Sequence, residues 1–348
     1  MKMNKKITIT TGCLALVVSV LSLLSSCMGK DPSLGALPVA SFTSASLIPS
    51  SNSPANLQLI NTTTPSPSIA SWYIPDMGLR LYGDTVNVSF VYAGDYPVQL
   101  TVTGQGGLDS CMQVVNVPES NPYAINSNST LGLLSGAGIG LSERIWVPER
   151  VVNSVIVWDS YADCLDMIDG AQTGAWWAFG PGEIATDGTG RDGYLDDKYT
   201  FTLDKVGKFI YDDNYTVFLD QGGSGWTAAL PAPWNTTLGT VSSTDLFNLV
   251  PALKPWGSGS FTYAITNAPT GAMFKGTITV NGLGAHIGMP DKSNGNADIV
   301  PTAASIKYDI LRINQNLTDA KTGATYDEII LGVNDNVHFW SFMLRSDQ

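Results

Sequence analysis

FVYAGDYPVQLTV, residues 90–102, decides the fold class. Val98, Leu100 and Val102 alternate with Gln99 and Thr101, the period of a strand with one buried face. The same period recurs on both sides. Upstream, Val39, Ser41 and Thr43 flank Ala40 and Phe42, Leu57 and Leu59 form a second pair, and Val86, Val88 and Phe90 a third. Downstream, Val114, Val115 and Val117 close a first unit, which reads as a β-sandwich of short strands. Farther on come Val155 and Val157; Tyr199, Phe201 and Leu203; Phe261, Tyr263 and Ile265; Ile278 and Val280; Ile306, Tyr308 and Ile310; Ile329, Leu331 and Val333. The end, Val337 to Leu344, reads as a last, largely buried strand. No amphipathic helix pattern exceeds about three turns, and one short helix is expected near Thr244–Leu249, capped by Ser243 or Thr244. The chain is therefore expected to be all-β, a sandwich of short strands followed by a larger β-jelly-roll sandwich.

The N-terminus reads as a targeting signal. Lys2, Lys5 and Lys6 precede an apolar run from Leu14 to Leu24, too short and too early for an ordinary spanning helix. The run ends in Leu24-Ser25-Ser26-Cys27, which resembles the bacterial lipobox, whose Cys becomes the lipidated first residue. Residues 1–26 are then a signal peptide and 27–37 a tether, and the protein is anchored to a bilayer without spanning it. Lys30-Asp31 resembles part of the export signal of surface lipoproteins in Bacteroidetes-type bacteria, which implies outward display.

Loss of the signal takes the net charge from −12 to −15, and no Lys/Arg cluster exists, which argues against nucleic-acid binding. Of four Cys, Cys111 and Cys164 lie outside the signal and lipobox. Two free thiols and one disulfide between the two units are both open. Residues 119–141 read as a linker between units at 38–118 and 142–348, with Leu131–Leu141 a candidate first strand of the second.

Phe90-x-Tyr92-Ala-Gly94-x-Tyr96-x-Val98-x-Leu100-x-Val102 resembles the polycystic-kidney-disease (PKD) immunoglobulin-like domain, although Trp72-Tyr-Ile-Pro-Asp76-Met-Gly78 stands where that family has Trp-x-Phe-Gly-Asp-Gly. Such domains are usually spacers. The second unit carries Trp146, Trp176-Trp177, Gly193-Tyr-x-Asp196-Asp-x-Tyr199-x-Phe201 and Phe339-Trp340-x-Phe342. It resembles the C-terminal jelly roll of Bacteroidetes surface glycan-binding lipoproteins, non-catalytic relatives of laminarinase-type hydrolases. The resemblance implies capture of an extracellular polysaccharide, a β-glucan first, for an outer-membrane importer.

The chemistry of a glycan site is stacking: flat aromatics cover the apolar face of a sugar ring while amides and carboxylates pair with its hydroxyls. Trp177, Trp226, Trp234 and Trp256, with Trp176 in addition, are the candidates, and Asp220, Gln221 and Asn235 neighbour them. Each has the alternative of a hydrophobic plug. Trp146, Trp158 and Trp340 sit in strand-like settings and are expected in the core. A regular strand sends adjacent side chains to opposite faces, so Trp176 and Trp177 should not share one.

A retaining glycosidase needs two carboxyl groups about 5–5.5 Å apart. The laminarinase-type motif draws them from one strand as Glu-x-Asp-x-x-Glu. Here Glu119, Glu143, Glu149, Glu183 and Glu328 have no acidic residue two positions away, which leaves convergence from separate strands. His286 and His338 are far apart, no Gly-x-Ser-x-Gly elbow exists, and zinc has no ligand set. Asp187, Asp192 and Asp196, with Asp197, crowd a Gly-rich loop that offers either oxygen ligands for calcium or turn chemistry. A third class is an adhesin that binds protein through the same Trp.

Overall fold

The computed structural model describes residues 35–67, 69–150, 155–158, 175–179, 192–219, 239–272, 274–293, 300–334 and 338–348. The signal peptide, most of the tether, Cys27 and Cys164 lie outside them. The chain divides into two compact units: Met1–Leu47, Asn56–Val88 and Asp95–Asn116 form one, and Ile48–Ala55, Ser89–Gly94 and Val117–Gln348 the other. Among the described residues no helix is long and apolar enough to cross a membrane.

The smaller unit is a two-sheet sandwich. β1 (Phe42–Ser46), β2 (Leu57–Asn61) and β5 (Thr85–Val88) form one sheet. β3 (Ile69–Ile74), β4 (Leu79–Tyr82), β6 (Gly94–Gly104) and β7 (Gly107–Val117) form the other, in the order β4-β3-β6-β7. Alternation sets the core: Leu57 and Leu59, Ala70, Trp72 and Ile74, and Val98, Leu100 and Val102 are all buried. The Trp72 ring meets Phe42 edge-on at 5.2 Å, and its Nε1–H donates to the Gly83 carbonyl at 2.8 Å. Cys111 is a free, half-buried thiol on β7, and burial followed by the Asp109 charge raises its pKa.

The larger unit is a sandwich- or barrel-like sheet whose strands pair in chain order. β8 (Glu143–Pro148), β11 (Lys198–Thr202), β12 (Lys208–Asp212), β15 (Gly259–Asn267), β16 (Gly276–Asn281), β17 (Ser305–Thr318), β18 (Thr325–Asn334) and β19 (Phe339–Asp347) each pair antiparallel with the next. The ladder closes where β19 returns to β8, Leu344 opposite Pro148 and Arg345 opposite Val147. This order is simpler than jelly-roll connectivity, which places strands distant in the chain side by side. The first half of β19 pairs instead with β9 (Val155–Trp158), and β9 pairs with β10 (Ala175–Phe179), the edge strand among the described residues. β13 (Thr216–Leu219) and β14 (Gly239–Ser242) form a separate ribbon.

A closed ring of eight strands has an interior just wide enough for its side chains. Here aromatics fill it: Tyr199 lies opposite Tyr211 and Phe201 opposite Phe209, with centroid separations of 5.5 and 5.1 Å. Trp146, Tyr308, Trp340 and Phe342 belong to the same buried cluster, and Trp146 and Trp340 are core residues as expected. Trp158 joins a second cluster with Ile156, Leu311, Ile330, Phe339 and Met343. β18 is therefore buried on both faces from Asp327 to Val333, which explains its continuous apolar run Ile329-Ile-Leu331.

The segment that reads as a linker is folded. It holds a 3-10 turn at Pro122–Ala124, helix α1 (Thr130–Leu134) and a second 3-10 turn at Ala137–Ile139. Leu131–Leu141 is thus helical and turn-like rather than a strand. Ser129 caps α1, its hydroxyl accepting from the Gly132 N–H, and Leu134 is fully buried in the main core. Helix α2 (Asp192–Leu195) precedes β11, and α3 (Ser243–Leu249) lies where a short helix is expected, capped one residue earlier by Ser242. Pro290–Ser293 forms α4.

Candidate functional site

Because side chains fill the interior, a ligand of this unit is to be sought on its outside. A cleft of about 410 Å³ opens where the ends of β8 and β19 meet α2, the start of β11 and the turn at Asn214. Glu149, Arg150, Asp196, Lys198, Asn214, Asp319, Arg345 and Asp347 line it, with Val147, Pro148 and Leu195 as its apolar part.

Arg345 is fixed from three sides. Its Nη1 donates to Asp319 Oδ2 at 2.6 Å, its Nε to Asp347 Oδ1 at 2.7 Å, and its guanidinium lies 4.0 Å from the Tyr326 ring centroid. Asp319 also accepts from the Lys321 and Thr322 N–H groups at 2.8 and 3.0 Å. The Arg345 hydrogen bond, then these backbone donors, hold its carboxyl well below the usual carboxylate range. The Arg150 guanidinium donates twice to the Leu195 carbonyl and so anchors the end of α2. Lys198 and Asp212 are 3.6 Å apart and half exposed, a pair of little energetic weight.

Asp196 and Asp197 illustrate the alternation at the mouth of β11. Asp196 lines the cleft and accepts from Asn214 Nδ2 at 3.0 Å and Thr216 Oγ1 at 3.2 Å. Asp197 turns into the core, where Tyr211 and Tyr199 donate to it at 3.0 and 3.2 Å. Burial raises the Asp197 pKa well above its ordinary value, against these two hydrogen bonds and together with the charges of Asp196 and Asp213. Tyr199 in turn accepts from the Gly288 N–H at 3.1 Å, so the network ties β11 and β12 to the 284–289 loop.

The sequence candidates fall into four groups. Trp226, Trp234, Asp187, Asp220, Gln221 and Asn235 lie outside the described residues. Trp176 and Trp177 are on β10, and the pairing with β9 slips between Ala175 and Trp177, leaving Trp176 as the extra residue of a bulge. Regular alternation is interrupted at that bulge. Trp256 is corrected: it is 3 % exposed and packs with Val217, Leu246 and Leu253, so it is a plug rather than a stacking platform. Of the calcium candidates, Asp192 opens α2 and Asp196 is engaged by the Asn214 and Thr216 donors. Among the described residues no group of three or more metal-ligating side chains is present.

His286 is buried, its Nδ1–H donating to the Gly284 carbonyl at 2.8 Å, and it is not placed to meet a ligand. His338 is half-buried just before β19. Sequence spacing missed that Glu149 beyond β8 and Glu328 on β18 flank β19: the Glu149 N–H donates to the Met343 carbonyl at 3.0 Å, and Glu328 lies opposite Arg345. Burial raises the Glu328 pKa, the Asn314 hydrogen bond lowers it, and the Glu149 charge raises it further. Both residues are buried, Glu149 completely. No local signal marks this pair, because the two come from opposite ends of the unit.

No protein-family profile matches the chain, and no curated protein does. Among solved structures, it is similar to the PKD1 domain of Vibrio anguillarum Epp at 20% identity, covering 24% of this chain and 96% of that one, with a TM-score of 0.21. The PKD1 domain from the Vibrio cholerae metalloprotease PrtV is 24% identical over 24% of this chain and 99% of its own, with a TM-score of 0.20. A carbohydrate-binding module of the β-sandwich superfamily is 13% identical, covering 91% of this chain and 93% of that one, with a TM-score of 0.22. Similarity at these TM-scores carries no inference about what this chain binds.

Proposed function

We propose that this protein is a non-catalytic, lipid-anchored receptor on the cell surface that binds an extracellular polysaccharide, a β-glucan first, for an outer-membrane uptake system. The observation that carries this reading is the Trp176-Trp177 pair at a bulge on β10, the edge strand among the described residues. Bulges on edge strands re-aim side chains and recur beside binding sites, and paired indoles supply the flat apolar surface that sugar rings stack on. The aromatic-filled interior and the polar cleft outside it support a surface-binding mode.

Affinity electrophoresis of the mature chain, starting after Cys27, in gels of laminarin, mixed-linkage β-glucan, xyloglucan, galactomannan or starch tests the reading. Retardation by one glycan, lost in the Trp176→Ala/Trp177→Ala variant and without release of reducing sugar, is the expected result. Retardation by none of them sinks it and favours a protein ligand. The hydrolase alternative rests on Glu149 and Glu328, buried carboxyl groups from the two strands that flank β19. Release of sugar that Glu149→Gln and Glu328→Gln abolish would make the protein an enzyme.

A further inference from the structure

β19 ends with alternate residues serving opposite faces. Arg345 and Asp347 line the charged cleft, whereas Gln348 lines a second pocket, of about 250 Å³, within the larger unit, and the buried Ser346 hydrogen-bonds Arg144 beneath it. Its floor is the buried ion pair of Arg144 and Asp327, 2.7 Å apart and each with a side chain 3% exposed. Both partners are satisfied from within. Arg144 also donates to the Leu133 carbonyl and to the Oγ and carbonyl of Ser346, and Asp327 Oδ1 accepts from the Asn316 N–H and Gln348 Nε2. The floor therefore presents no uncompensated charge. The rim is made of exposed amides, Asn128, Gln315, Asn316 and Gln348. Two glycines keep one wall thin: a Cβ on Gly132 would stand 2.5 Å from the Asn126 carbonyl oxygen, and one on Gly138 3.0 Å from that of Ser127.

We infer that this pocket binds a single neutral sugar residue, such as the end of a glycan chain. Gln348 Nε2 donates to Asn316 Oδ1 at 3.1 Å as well as to Asp327, so the rim turns the Gln348 Oε1 acceptor and the Asn316 Nδ2 donor to a ligand, beside the side-chain amides of Asn128 and Gln315. An amide offers a donor and an acceptor together, which matches a hydroxyl that does both. A charged ligand would lose hydration here and find no free opposite charge. The volume lies below the roughly 300–1,000 Å³ of sites for drug-sized ligands, which sets the scale at one ring. The ligand class rests on the glycan reading above, whereas the pocket is separate from the Trp pair.

The test is saturation-transfer NMR of the detergent-solubilised full chain with glucose, galactose, mannose, xylose and galacturonate as probes. The expected result is saturable binding of at least one neutral sugar, no binding of galacturonate, and at least a tenfold weaker apparent Kd in Asn128→Ala/Gln348→Ala. Both substitutions remove exposed side chains; Gln348→Ala also removes one donor to Asp327 Oδ1, which keeps the Asn316 N–H, and Gln315→Ala provides a second variant that leaves every hydrogen bond of the Arg144–Asp327 pair in place. Absence of saturable neutral-sugar binding, equal binding of galacturonate, or unchanged affinity in both variants overturns the inference. The gel assay run beside it separates the two readings. If a polysaccharide retards the chain while the neutral sugars fail, the pocket assignment alone falls. If none retards it, the glycan reading falls.

Discussion

Acidification offers a sharp test of the packed interior. The His286 ring is 1% exposed and meets Tyr211 at 4.5 Å, and its Nε2 has no hydrogen-bond partner among the described residues. With Nδ1–H donating to Gly284, a second proton would sit on Nε2 facing no acceptor. Burial accordingly pushes the imidazole from 6.5 to about 4, against the Gly284 hydrogen bond and the Asp213 charge. The folded pKa is depressed, so the unfolded chain binds the extra proton first. The stability that the neutral ring contributes is full above pH 6.5 and is lost as pH falls toward 4. The linkage relation gives a loss of about 2 kcal/mol between pH 7 and 5, and about 3 kcal/mol by pH 4. Asp197 and Glu328 act with the opposite sign, because their raised pKa values make them better tolerated in acid. The comparison with His286→Asn, whose amide can replace the Nδ1–H donor, removes both from the result. Urea unfolding followed by Trp fluorescence reports chiefly on the larger unit, since Trp72 is the one Trp of the smaller one. The stability of wild type relative to His286→Asn should fall by about 2 kcal/mol from pH 7 to 5. A difference constant within about 0.5 kcal/mol over that range would refute a buried neutral imidazole.

Three further outcomes follow from the same packing. Asp327→Ala strands the Arg144 charge and should cost about 3–5 kcal/mol, with Arg144→Met/Asp327→Ala less destabilised than the sum of its single changes; additive double-mutant energies would show the pair uncoupled. Gly288 has φ +84° and its Cβ would stand 2.4 Å from the Phe342 ring, so Gly288→Ala should lower stability by about 1–3 kcal/mol in urea titration, and an unshifted midpoint would contradict the packing. Trp256→Ala should destabilise by about 3–5 kcal/mol while leaving glycan retardation at permissive temperature unchanged; loss of binding in a folded variant would return Trp256 to the site.

What the sequence shows and hides follows from the range of each interaction. Alternation is local, so Val98, Leu100 and Val102 reveal their strand, and Trp146 and Trp340 their burial. Closure is not local: β19 finds β8 about 200 residues earlier in the chain, and no periodicity records which strand it will meet. Helix α1 has five residues, too few to display a 3.6 period, and its legible sign was the cap Ser129 three residues before Gly132. Trp256 misled because Gly, Pro and Asn around it suggest an exposed loop, whereas Leu246 and Leu253 supply apolar partners that cover it. The slip at Trp176 is a property of pairing between two strands, invisible in either alone.

The filled interior changes where specificity can reside. A barrel that held its ligand inside would select by cavity volume, and its inward positions would have to be small. Here Tyr199, Phe201, Phe209, Tyr211, Tyr308 and Phe342 occupy those positions, so that mode is closed. On the proposed reading, recognition then falls to the rims and edges, where one short strand end serves both faces: Arg345 and Asp347 toward a charged cleft, Gln348 toward an amide-rimmed pocket. The two pockets differ in chemistry although they share a backbone. Substitutions at 345 and 347 should therefore alter the charged cleft alone, and substitution at 348 the neutral pocket alone. A variant at 348 that changed the ligand preference of both would mean that strand end moves as one body, and the two sites would have to be treated as one.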